Sequence, residues 1–309
     1  MEHVIRNKII SALAEKNITL TTDKMGNLYA ERIVSDELPT VLLCAHMDEA
    51  GFIVTDITDD GYLKFDVIGE IEPINLISKV VKINEKVGLI SLKAIHLTTK
   101  EERAKKIKTE DLFIDIGAKN KDEALNLVEI GDYVSFNTVS ADFGENSVKG
   151  KSLGSRIGCS MLVDFLKNNP KPNFNIKCLF YVQKEVSDRG IYAALNFIKK
   201  ADFCLIIDFV KEEEDNKVVV GFLADTTAKT RNIYNNLKLL IDSNEAKIGI
   251  LNKKSSGYSL SSKIPYTPIV QIGIPCRYIN TQNEIVDKKS ILYASNTIKL
   301  ILNEVKNIW

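Results

Sequence analysis

No apolar run in this 309-residue chain reaches the roughly 18–20 residues a helix needs to span a bilayer, so no membrane partner is expected. Neither sign of charge is in surplus, with 41 Lys and Arg against 41 Asp and Glu. That balance removes the basic footprint of a nucleic-acid binder and the acidic excess of a solvating tail. Gly-rich phosphate loops, internal repeats and low-complexity segments are absent. The five cysteines (Cys44, Cys159, Cys178, Cys204 and Cys276) form no CxxC pair and lie in apolar segments. An odd number of such thiols fits reduced side chains better than a disulfide framework. The opening Met1-Glu2-His3-Val4-Ile5-Arg6 has no basic region followed by an apolar stretch, so no secretion signal is expected, and the location expected is cytoplasmic.

What is present is ordinary for a globular protein: 45% hydrophobic and 27% charged residues. A chain of this length exceeds most single cores and predicts one large domain with an insert, or two domains. It is long enough to bury about 75% of the surface its unfolded form exposes. Helical spacing of Val4, Ile5, Ile9, Ile10 and Leu13 predicts a helix over 4–16. Strands are predicted at 27–32, 41–44 and 52–57, the last closed by the turn Asp59-Asp60-Gly61. From about Phe65 to Val148 the texture changes to short β-rich runs (80–83, 87–91, 133–136) around a charged stretch at 100–108. That change predicts an inserted β-rich domain over 66–148.

After Gly150 helix and strand alternate. Helices are predicted at 156–166, 188–199, 230–241 and 289–305, and strands at 176–183, 203–209, 218–223, 248–251 and 268–272. Such alternation predicts an α/β sandwich formed by 1–65 and 149–309. In such sheets ligands gather at the carboxyl ends of the strands. His46, Asp48, Glu185 and Asp208 each stand just past a predicted strand, so the topology lets them converge on one site.

The segments Ala45–Phe52, Ile95-His96-Leu97, Asp111–Ala118, Lys151–Cys159, Val182–Val186, Asp208 and Ile274–Asp287 together resemble, in order and over nearly the whole chain, the cytosolic di-metal aminopeptidases that assemble into hollow tetrahedral (TET) particles. These are the glutamyl and deblocking aminopeptidases, often mislabelled endoglucanases. The resemblance implies a three-layer α/β sandwich of the zinc-exopeptidase type with a small β-barrel-like insert, and a homo-oligomer. It also implies two metal ions held by a His, a bridging Asp, a Glu, a further Asp and a second His. Matched by motif, His46, Glu185 and Asp208 keep three of these metal positions, and Asp48 keeps the acid that orients the first imidazole. The remaining positions depart from the pattern. The bridging Asp falls in Gly154-Ser155-Arg156, the general base becomes Lys184, and the second ligand His becomes Asn280. The stretch at Ser255-Ser256-Gly257 also differs from the family's substrate-side Thr-Asp-Ala.

Each departure has a chemical consequence. Two dications about 4 Å apart repel by many kcal/mol even at an effective dielectric near 20, and a shared carboxylate offsets this. Glycine supplies no ligand atom, and Asn280 offers zinc only a neutral oxygen. A protonated Lys184 has no acceptor for a proton, and loss of a general base alone removes about 10²–10⁴ in rate. These changes predict a catalytically dead or strongly impaired member that holds no metal, or at most one weakly bound zinc or cobalt. Its expected role is that of a non-catalytic or regulatory subunit, as a homo-oligomer or co-assembled with an active paralogue. Two other expectations stay open: a working metallo-aminopeptidase with an atypical site, and a protein that binds peptide N-termini without cleaving them. The Lys184 ammonium is expected to sit among Glu185, Asp208 and Asp48 as an internal substitute for metal charge. Three neighbouring acids disfavour a Schiff-base role for it. Cys159 is expected to pack, His96 to be structural, and the 211–217 charge run to be a solvated loop. Asp142 and Glu145 are the sequence neighbours available to replace a carboxylate at Gly154.

Overall fold

The computed structural model describes residues 2–14, 17–93, 99–100, 105–169, 172–223, 228–241, 245–251, 253 and 255–304. His96 and the stretch around it therefore lie outside the described residues. An eight-stranded sheet runs, in spatial order, β1 (Thr19–Thr22), β2 (Leu28–Arg32), β12 (Asn175–Tyr181), β3 (Thr40–His46), β13 (Phe203–Lys211), β16 (Ile269–Cys276), β14 (Val218–Phe222) and β15 (Ala246–Ile250). Its central four strands are parallel. Every residue of β12 and β16 is buried, as a sheet covered on both faces requires.

Alternation along β3 sends Leu43 and Ala45 to one core and Leu42 and Cys44 to the other. The first core is closed by helices Glu2–Leu13, Leu153–Asn168, Ala228–Leu240 and Lys288–Glu304, and the second by short helices within 189–198 and Ser256–Ser261. The result is the three-layer α/β sandwich. A separate closed barrel is built from β4 (Gly51–Ile57), β5 (Leu63–Ile68), β6 (Val80–Ile83), β7 (Lys86–Leu92), β8 (Leu112–Asp115) and β9 (Tyr133–Phe136). Phe52 sits at its centre, edge-on to Phe65 and Phe136 at 5.3 Å from each. The barrel takes up both β4 and β5, so its strands begin at Gly51, ahead of the texture change near Phe65. Those strands carry apolar residues much like the sheet's own, so composition does not mark the crossing. A third sheet joins β10 (Ala141–Phe143), β11 (Ser147–Gly150) and β17 (Glu284–Asp287).

Two elements differ from sequence expectation in an instructive way. The first helix runs Glu2–Leu13. The helix expected at 188–199 is instead two short helices, Arg189–Ala193 and Leu195–Ile198, and a third, Lys184–Ser187, stands across a break before them. The break falls at Asp188, which adopts φ +53°. Gly190 follows because a Cβ there would lie 2.1 Å from the Val182 carbonyl oxygen. Among the described residues no helix is long and apolar enough to cross a membrane.

Candidate functional site

Register places the site. Tyr181 pairs with His46 across β12 and β3, and Ile206 pairs with Cys44 across β13 and β3, so Asp208 emerges level with His46 at the carboxyl edge. His46 is buried; its Nδ1 lies 3.3 Å from Asp48 Oδ1 and its Nε2 lies 3.8 Å from Asp208 Oδ1. The other Asp48 oxygen accepts the Glu185 backbone N–H at 2.9 Å. Burial pushes the Asp48 carboxyl up, but the His46 contact and the N–H groups of Glu185 and Lys184 outweigh it and hold it below the usual carboxylate value. The four residues singled out from the sequence thus converge.

Lys184 enters the same site. Its Nζ lies 3.7 Å from Glu185 Oε1 and 3.9 Å from Asp208 Oδ2. The Asp208 charge raises the Lys184 pKa more than burial lowers it, and Glu185 adds to the rise. The ammonium therefore stays charged, the opposite of what a Schiff-base lysine needs. For Glu185 burial is the larger influence, and its carboxyl stands above the usual range despite Lys184 and His46.

The altered positions are occupied by other contacts. A Cβ on Gly154 would lie 2.8 Å from Phe209 Cδ2 and 3.0 Å from Cγ, so the Phe209 ring fills the space a side chain would take. Ser155 is buried, its hydroxyl donating to the Ser152 carbonyl at 3.1 Å and accepting from Arg156 Nη1 at 3.1 Å. Asn280 has φ +59° and donates its side-chain amide to the Glu70 carbonyl at 3.1 Å. Asp142 pairs at the surface with Lys288 at 2.8 Å and Glu145 is exposed, so neither supplies a carboxylate at Gly154. Among the described residues no group of three or more His, Cys, Asp and Glu is arranged to hold a metal ion.

Several residues of the site were not singled out in the sequence. Glu284, 4% exposed, accepts the Leu153 N–H at 2.6 Å and the Asn280 N–H at 2.9 Å. It thereby caps helix Leu153–Asn168 with a buried carboxylate, a favourable placement for negative charge. Burial raises its carboxyl more than the N–H groups of Asn280, Leu153 and Gly154 lower it. The Glu49 carboxylate is held by Lys151 at 2.9 Å and Arg156 at 2.7 Å. Arg156 also donates to the Met47 carbonyl, and the Tyr133 hydroxyl donates to the Glu49 carbonyl. The loop from sheet to barrel is therefore fixed from both sides. Beneath His46, the Tyr181 hydroxyl meets Ser256 Oγ at 3.1 Å, and Ser256 Oγ donates to Asp188 at 2.9 Å. Glu284 lies within a segment quoted for its resemblance, but nothing in a sequence marks a helix cap supplied from 131 residues away.

Cys159 donates its thiol to the His46 carbonyl at 3.2 Å, and burial pushes that thiol up to about 12, which makes it a packing residue. The 211–217 run is partly paired rather than simply solvated: Lys247 reaches Glu213 and Asp215, and Arg277 reaches Glu212.

A sandwich with an inserted barrel and an imidazole among acids at its carboxyl edge has the architecture of a metallo-hydrolase. The chain belongs to the M42 glutamyl aminopeptidase family, whose profile matches residues 26–300. It is 26% identical to the lysyl aminopeptidase of Pyrococcus furiosus over 326 aligned positions, covering 99% of this chain and 93% of that protein. The fold is similar to that of the TET aminopeptidase from Thaumarchaeota archaeon SCGC AB-539-E09, with a TM-score of 0.86, 21% identity and coverage of 99% and 94% of the two chains. It is also similar to the Pyrococcus horikoshii TET1 peptidase, which assembles into a tetrahedron or a large octahedral shell (TM-score 0.81, 23% identity, 97% and 94% covered).

Proposed function

We propose that this chain is a non-catalytic member of the M42 family that keeps the fold and the shape of the site but not its hydrolytic chemistry. The observation that carries this reading is the filling of the metal region by the protein itself. The Phe209 ring occupies the side-chain space at Gly154, and the Lys184 ammonium stands between Glu185 and Asp208. His46, Glu185 and Asp208 are the remnant ligand positions. A fixed cation already offsets part of their charge and would repel a metal ion, so this donor set does not fit a pair of divalent ions.

The remaining cavity, bordered by His46, Lys184, Phe209, Asn280 and Glu284, measures about 70 Å³. Ligand pockets run to roughly 300–1,000 Å³, which also argues against a peptide N-terminus bound beside Lys184. By analogy with its relatives, the chain acts as a subunit of a homo-oligomer or co-assembles with an active paralogue. Its described cysteines are all free and buried, in keeping with a cytoplasmic location.

The test is metal content after dialysis against zinc and then cobalt, followed by an aminopeptidase assay on a panel of peptides. Metal near zero with no turnover is expected. Two retained equivalents per chain with turnover would refute the proposal.

A further inference from the structure

A cavity of about 500 Å³ opens where β14, β15 and helix Ala228–Leu240 meet. It stands at the edge of the sheet opposite the Lys184 cluster, because β14 runs antiparallel to β16 and its final residues pair near the start of that strand. Phe222, Ile248 and Ile250 give it apolar walls. Phe222 is buried and stands edge-on to Tyr234 at 5.3 Å, while Ile250 is 74% exposed, so the apolar lining reaches solvent. Arg231, Tyr234 and Asn235 are spaced three and four residues apart and share the helix face that lines the cavity. No hydrogen bond or ion pair engages any of the three among the described residues. Arg231 is exposed, and no carboxylate lines the cavity among the described residues, so the charge it offers a ligand is positive. The neighbouring cation Lys247, by contrast, is committed to Glu213 and Asp215.

The strand beside this cavity has a bare edge. The Val218 N–H donates to the Glu245 carbonyl, and the Leu251 N–H donates to the Phe222 carbonyl. Residues of a parallel strand alternate in facing a given neighbour, so Lys247 and Gly249 bond to β14. The N–H and C=O groups of Ile248 and Ile250 then point away from it. Since β15 ends the sheet, these groups are a template for a further strand.

We propose that this corner docks the C-terminal end of an extended peptide. Its backbone would add to β15 through the outward groups of Ile248 and Ile250. Its last side chain would enter between Phe222, Tyr234 and Ile248, and its terminal carboxylate would pair with Arg231. The Tyr234 hydroxyl and the Asn235 amide are further donors for that carboxylate. A strand edge alone accepts any backbone; the unpaired guanidinium selects one that ends in a carboxylate, and the apolar walls select an apolar last residue. The volume falls within the roughly 300–1,000 Å³ of ligand pockets.

The test is fluorescence anisotropy of the full chain with the fluorescein-labelled peptide Thr-Val-Thr-Val-Phe bearing a free carboxylate. Two companions are its C-terminal amide and a form methylated at every internal peptide nitrogen. The free acid is expected to bind saturably at one per chain. The amide, lacking the charge, and the methylated form, lacking the strand hydrogen bonds, are each expected to bind at least about tenfold more weakly. Arg231→Gln, at an exposed and unpaired position, should abolish the preference for acid over amide with circular dichroism unchanged. No saturable binding up to about 1 mM, equal binding of acid and amide, or a preference that survives Arg231→Gln would overturn the proposal. A change of oligomer size in Ile250→Lys, with no peptide bound by wild type, would give the edge to a second copy and equally overturn it.

Discussion

Replacing Lys184 by Met keeps most of the side-chain volume and removes only the charge between Glu185 and Asp208. Its two ion-pair contacts, at 3.7 and 3.9 Å, are each worth about 4 kcal/mol at an effective dielectric near 20 and about 1 kcal/mol in water. The Lys184 side chain is 26% exposed and its partners 9% and 10%, so partial screening applies. The two carboxylates left behind also repel each other. A net loss of about 2–3 kcal/mol is expected, below the roughly 3–5 kcal/mol of a fully buried pair. For a chain this long the loss should lower Tm by about 5 °C in EDTA, read by calorimetry. Neighbouring charges raise the Lys184 pKa above its ordinary 10.5. Its contribution is therefore complete below that value and fades only as pH rises beyond it, so the difference should persist across neutral pH. Lys184→Glu should be less stable still in EDTA and should regain stability with zinc or cobalt, because a metal would then replace the missing cation. An unchanged Tm for Lys184→Met would refute the ion-pair account. Failure of metal to stabilise Lys184→Glu would show that Phe209 alone closes the site.

Gly154→Asp should cost about 1–3 kcal/mol from overpacking against Phe209, and adding Phe209→Ala should recover part of it; urea denaturation decides, and an undisturbed single variant would contradict the ring contact. Glu284→Ala should cost about 2–4 kcal/mol by leaving the Leu153 and Asn280 N–H groups unpaired. Because burial holds the Glu284 carboxyl above its ordinary 4.5, the folded state binds the more protons, and this group's share of stability falls as pH rises from that value. Glu284→Gln should flatten that slope in pH-dependent unfolding, and an identical slope would refute it. Cys159, with its thiol pushed up to about 12, should resist thiol reagents at pH 8 until the protein unfolds; prompt labelling of that residue in the native protein would contradict its burial.

The alternation of strands and helices after Gly150 was legible because buried parallel strands read as near-continuous apolar runs, as Phe203–Ile207 and Cys178–Val182 do. The convergence of His46, Asp48, Glu185 and Asp208 was legible too, since each stands just past a strand. What escaped were features made by distant segments. The three-residue strand β10 carries no periodicity to detect, and Asp188, where the helix breaks, has its partner Ser256 68 residues away. Phe209 was legible as a strand residue, yet its ring beside Gly154 is a fact of packing between β13 and helix Leu153–Asn168.

On the non-catalytic reading proposed above, that packing gives a change at Gly154 a direction in evolutionary time. While the Phe209 ring stands against Gly154, a mutation restoring Asp there meets a steric penalty before it meets any metal, and so begins as a disadvantage. Reversal would need Phe209 to shrink first, a step that opens a void and offers nothing on its own. A lineage in this state is held by a ratchet: drift can alter Lys184 or Asn280 one at a time, but the bridging acid returns only through a less fit intermediate.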